Sequence, residues 1–181
     1  NYTYIREAFQ MARDYSIAKG RNIELFFNDN DNHYPIGLTS KNSRKIVGML
    51  KQQGLIDFVG LQMHIGEWRK GAFDELMVPG LKVELDFYKK LGVPVQFTEM
   101  TYRPSSDELN LPENQFNLRL AHVFGESLKI GLESGNLEGL WFWGPSDKYL
   151  QIVGSYQIFD ADGQPKLAYY TVLKTLYEGI K

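Results

Sequence analysis

Glu99 follows a short apolar run, Val95-Gln96-Phe97-Thr98. A carboxylate in that position can attack an electrophilic carbon, move a proton or hold a cation. Three other apolar runs also end on polar groups. Ile23-Glu24-Leu25-Phe26-Phe27 runs into Asn28-Asp29-Asn30-Asp31, and Phe58-Val59-Gly60-Leu61-Gln62-Met63 carries Gln62 and meets His64. Leu140-Trp141-Phe142-Trp143 opens onto Gly144-Pro145-Ser146-Asp147-Lys148-Tyr149. Each residue also has an ordinary reading. Glu99 alone is a solvated residue starting a loop, His64 a hydrogen-bonded core residue, and Asp29 and Asp31 turn caps. Trp141 and Trp143, two apart, share one side of their strand and by default fill a core, and Lys148 is surface charge. His64, Asp29 and Glu99 offer three metal ligands, but no two stand at a short ligand spacing, so no metal is expected.

The elements that must position these groups are legible from periodicity. The four runs are β-branched or aromatic and nearly continuous, the pattern of parallel strands buried on both faces. Between them stand stripes of helical period: Ile5, Ala8, Phe9 and Ala12; Ile46, Met49 and Leu50; Leu81, Leu85 and Tyr88; Phe116, Leu120, Val123 and Phe124; and Leu167, Tyr170, Leu173 and Tyr177. Thr39-Ser40 can cap the second helix, while Gly54 and Gly92 sit where helices should stop. Pro112 and Pro165 suit first-turn positions. The order is one helix and then strand-helix four times, which makes a right-handed parallel α/β sheet. In such architectures chemistry gathers beyond the carboxyl ends of the strands.

Composition narrows the function classes. With 181 residues, 43% hydrophobic, the chain can bury a core and fits one domain, 1–181. Lys+Arg at 20 against Asp+Glu at 22 gives a net charge of -2, so neither nucleic acid nor an anionic membrane is an expected partner. Cysteine is absent, which removes thiolate catalysis and thiolate metal sites. No Gly-rich phosphate loop follows any run, and no cofactor is implied.

Five ordered pieces resemble glycoside hydrolase family 10, the retaining endo-β-1,4-xylanases. They are Phe27-Asn28-Asp29, Gly60-Leu61-Gln62-Met63-His64, Phe97-Thr98-Glu99-Met100, the segment from Phe142-Trp143-Gly144-Pro145-Ser146 to Asp147-Lys148-Tyr149, and Phe159-Asp160-Ala161-Asp162-Gly163-Gln164-Pro165 leading into Lys166-Leu167-Ala168-Tyr169-Tyr170. The resemblance begins at Tyr4-Ile5-Arg6-Glu7-Ala8-Phe9 and runs the length of the chain. It implies the second half of a TIM (β/α)8 barrel, xylan or a similar β-1,4-linked polysaccharide as substrate, and a secreted protein. Glu99 becomes the nucleophile and His64 the residue that orients it. Gln62, Trp143, Lys148 and Asn28 become contacts to the sugar.

The departures carry information too. Thr101 stands where the family usually has an aspartate supporting the histidine, Leu150-Gln151 where a second Trp is common, and Asn30 where a tyrosine is usual. A complete barrel takes about 250 residues, so this chain supplies four strands, and the family's acid/base Glu has no match in it. The expectation is a nucleophile half that turns over poorly alone and closes its sheet with an N-terminal half-barrel or a second copy. The alternative is a carbohydrate-binding pseudoenzyme.

Overall fold

The computed structural model describes residues 2–35, 37–66, 71–144, 146–150 and 154–179. Helix α1 (Thr3–Ala18) leads into β1 (Phe26–Asn30), α2 (Leu38–Gln52), β2 (Phe58–Gly66), a π-helical turn (Phe73–Met77), α3 (Val78–Leu91) and β3 (Val95–Arg103). A short α4 (Ser106–Leu109), α5 (Glu113–Glu133), β4 (Leu137–Phe142), α6 (Asp147–Leu150) and α7 (Leu167–Gly179) follow. The four strands form one parallel sheet in the order β1-β2-β3-β4, with helices between successive strands, as the alternation predicts.

Burial on both strand faces is not what the sheet shows. In β2, Val59, Leu61, Met63 and Ile65 are buried beneath the helices, while Gln62, His64 and Gly66 on the other face are only partly covered. The core therefore lies on the helix side, where Leu50, Leu85, Tyr88 and Phe124 meet Leu61, Phe97 and Tyr102. The opposite face is polar and open. The apolar runs looked continuous because only Glu24, Gly60, Gln62 and Gln96 interrupt them.

Several boundaries differ from the sequence reading. Residues 23–25 precede β1; Leu25 instead uses its amide to reach Asp57 Oδ2 at 2.7 Å and its carbonyl to accept from Asp57 N at 2.8 Å. Gly37, not Thr39-Ser40, caps α2; Ser40 lies inside the helix and donates to the Tyr34 carbonyl, tying down the preceding loop. Pro112 is the N-cap of α5 rather than its first turn. The stripe assigned to α7 faces outward: Leu167, Tyr170, Leu173 and Tyr177 are exposed, and Ala168 and Val172 are buried instead. The reason is close packing on α5. A Cβ on Gly125 would meet Thr171 Cγ2 at 2.6 Å, so the small face of α7 is turned inward.

Gly54 and Gly92 end their helices with φ of 68° and 70°, as their type allows. The closing hairpin is present as a bridge between Phe159 and Pro165, with Asp160 Oδ1 accepting the amides of Asp162 and Gln164.

Candidate active site

The site begins with a break in β3. Its pairing with β4 jumps from Phe97↔Leu140 to Met100↔Phe142, and Glu99 takes a φ of 57°. That left-handed backbone costs a non-glycine residue about 1–2 kcal/mol, so neighbouring strands must hold it. The pairing with β2 shifts at the same level, from Gln62↔Thr98 to His64↔Thr101, so both neighbours place one extra residue in β3. That bulge brings three side chains into line. His64 Nε2 lies 3.1 Å from Glu99 Oε2, and His64 Nδ1 lies 3.3 Å from Thr101 Oγ1.

The chemistry of the donors limits the arrangement. An ionised carboxylate only accepts, so Nε2 carries the proton toward Glu99. In a neutral ring Nδ1 then accepts from the Thr101 hydroxyl. Thr101 thus orients the ring from the position where an aspartate was expected, without adding a second negative charge. The His64 and Glu99 side chains are 31% and 25% exposed, open enough for a solute to reach and covered enough to stay fixed.

Trp143, just beyond β4, meets the His64 ring edge to face, with centroids 6.2 Å apart. Its backbone is anchored at both ends: the amide donates to the Met100 carbonyl at 3.2 Å, and the carbonyl accepts from Gln157 Nε2 at 2.7 Å. Gln157 also reaches the Met100 carbonyl, locking the residue after Glu99 to the residue after β4. Trp141 lies over Gly139 and is half exposed, so it does not fill a core. Asn28 accepts from Thr98 Oγ1 at 2.7 Å, across Gly60, whose missing side chain leaves the space: a Cβ there would stand 2.5 Å from Asn28 Oδ1. Gln62 is level with Asn30 and Thr98 on the open face.

Not every predicted residue joins this group. Lys148 is exposed on α6 and forms no hydrogen bond or ion pair with a described residue; its neighbour Asp147 is held instead by Lys166 at 2.7 Å. Asp29 receives a bond from Ser43 Oγ at 3.1 Å beneath α2, so it does not converge with His64 and Glu99 as a metal set. Pro145, Gln151 and Glu67 lie outside the described residues, as does any contact resting on them.

Beside His64 a cleft of about 630 Å³ opens between the end of β1 and the end of β3. Asn30, Asp31, His33, Thr101 and Arg103 are among its walls. Sequence reasoning missed His33, Arg103 and Gln157. Gln157 could not be found, because it sits far along the chain in no periodic element. Arg103 had a signal, two residues beyond Thr101 on the strand's open side. His33 is buried, and burial pushes its ring down to about 4, against the opposing charge of Asp31.

The chain has well-defined relatives. The Glycosyl hydrolase family 10 profile matches residues 2–175. Endo-1,4-beta-xylanase A of Caldicellulosiruptor saccharolyticus is 27% identical over 94% of this chain and 51% of its own length. Endo-1,4-beta-xylanase 2 of Aureobasidium pullulans is 27% identical over 96% of this chain and 48% of its own length. Among solved structures, xylanase 10B of Thermotoga petrophila in complex with xylobiose superimposes with a TM-score of 0.80 at 26% identity, covering 99% of this chain and 53% of that one. Native xylanase 10B of Thermotoga maritima gives 0.79 at 27% identity. The chain therefore spans about half the length of the relatives it matches.

Proposed function

Because the chain belongs to glycosyl hydrolase family 10, we propose that it supplies the nucleophile half of a retaining endo-β-1,4-xylanase site, with Glu99 as the nucleophile. The single observation that carries this reading is the 3.1 Å bond from His64 to Glu99 on an open polar face. A retaining mechanism needs a carboxylate under the anomeric carbon and a second, about 5–5.5 Å away, to protonate the leaving group. Glu99 takes the first role, and His64, steadied by Thr101, orients it. Trp143 walls the subsite of the reacting sugar. Asn28 and Gln62 bond its hydroxyls, and Lys148 reaches toward the substrate from α6, outside the group around Glu99. The second carboxylate and the other four strands come from outside these 181 residues, from an N-terminal half-barrel or from a second copy closing against β1 and β4. The 181 residues fold as one unit in that assembly.

The test uses a substrate that needs no proton donor. A 2-fluoro-xylobioside with a dinitrophenolate leaving group should add its glycosyl mass to the peptide containing Glu99, and Glu99→Gln should abolish the adduct. Absence of label, with xylo-oligosaccharide binding intact, would sink the nucleophile role. That outcome is the signature of the second reading, a carbohydrate-binding pseudoenzyme, which the hydroxyl of Thr101 in place of a carboxylate favours.

A further inference from the structure

Arg103 ends β3 on the face that carries Thr98 and Thr101, and it lines the cleft beside His64. Its register partner is Gly66, where a Cβ would meet nothing within 4 Å among the described residues. Three arginines elsewhere are held in structural ion pairs. Arg13 is held by Asp57, Arg44 by Glu84, and Arg119 by Asp74 and Glu108. Arg103, like Arg21, is exposed and forms no ion pair or hydrogen bond with a described residue, but Arg103 lines the cleft.

The rest of the cleft is mostly neutral, with Thr39, Asn30 and Tyr34 offering hydroxyls and an amide to a sugar. Asp31 is the one carboxylate among the described residues of its walls, and it follows β1, two strands from Arg103. Strand spacing puts those two ends about 10 Å apart. A carboxylate entering on the β3 side therefore meets the guanidinium before it meets Asp31. The planar fork of arginine fits a carboxylate at two points, which ammonium does not.

We propose that Arg103 makes this cleft a subsite for an acidic sugar substituent, so that the chain favours glycans bearing uronic-acid branches over unbranched neutral ones. The assignment rests on the reading of the Glu99 face as a glycan site. It adds a specificity determinant that takes no part in bond cleavage.

The test is titration of the chain at low ionic strength, followed by NMR shifts, with three probes: xylotriose, xylotriose carrying a glucuronic acid branch, and the methyl ester of that branched sugar. The free acid should bind about tenfold more tightly than the ester or xylotriose, the scale of one charge-assisted contact. Salt should shrink the difference. Arg103→Gln should erase the preference while leaving xylotriose affinity unchanged, and Asp31→Asn should enlarge it. Equal affinity for acid and ester in the wild type, or a preference surviving Arg103→Gln, overturns the proposal. If xylotriose and both branched sugars all fail to bind, it is the glycan-site reading that falls, and this proposal with it.

Discussion

Acidification should loosen this fold through His33. The ring is buried, its Nδ1 has no partner among the described residues, and its pKa is lowered from 6.5 to about 4. A base with a depressed folded pKa takes up its proton first in the unfolded chain. The stability it contributes is thus whole above about pH 6.5 and lost as the pH falls toward 4. The full displacement corresponds to about 3 kcal/mol, of which about 2 kcal/mol disappears between pH 7 and pH 5. Asp31 and His64 also act on this ring through their charges. The measurement must therefore be a difference. Urea unfolding of the wild type and of His33→Gln, at pH 7 and pH 5 and at one protein concentration, gives four free energies. The wild type should lose about 2 kcal/mol more than the variant on acidification. If both lose the same amount, His33 is not held neutral by burial, and the reasoning fails.

Three further outcomes follow from geometry. The Glu84 carboxylate is fully buried against Arg44, with both contacts at 3.0 Å, and burial raises its pKa. Arg44→Met should cost about 3–5 kcal/mol by leaving that carboxylate unpaired, and adding Glu84→Leu should recover most of the loss in thermal melts. At Glu99 the left-handed φ reverses the usual preference, so Glu99→Gly should be more stable than Glu99→Ala by about 1 kcal/mol; the opposite order would mean the backbone is not strained there. Gly139→Ala would set a Cβ 2.1 Å from the Trp141 ring, forcing the ring aside. It should shift tryptophan fluorescence and cost about 1–3 kcal/mol in urea unfolding.

The strand-helix order was readable because parallel strands and amphipathic helices have different periods, with four strand runs and five helical stripes in alternation. Glu99, His64, Gln62 and Asn28 were readable because a parallel sheet delivers its strand ends to one rim. What the residues could not convey was phase. In α7 both faces are apolar, and the choice between them is made by Gly125 of α5, a partner some forty-odd positions away. The cap of α2 was missed because Ser40 lies inside the helix and donates its hydroxyl to the loop carbonyl of Tyr34, where a cap would accept an amide at the helix start. Arg103 and His33 were passed over because their meaning depends on a cleft, and a cleft belongs to three strand ends at once.

The bulge at Glu99 acts on β3 as a frameshift acts on a message. Before it, odd positions, Val95 and Phe97, face the helices; after it, even positions, Met100 and Tyr102, do. The strand is written in two frames, and Glu99 is the punctuation between them. Deleting Glu99 would remove the extra residue and let the two frames fuse: Thr98 would stay on the open face, Met100 and Tyr102 would still face the helices, and Tyr102 would keep its bond to the buried Glu108 of α4. A second residue inserted beside it would instead turn Met100 and Tyr102 toward the open face. The carboxylate thus stands at the position that the pairing of β3 does not need, so chemistry and fold are separable there.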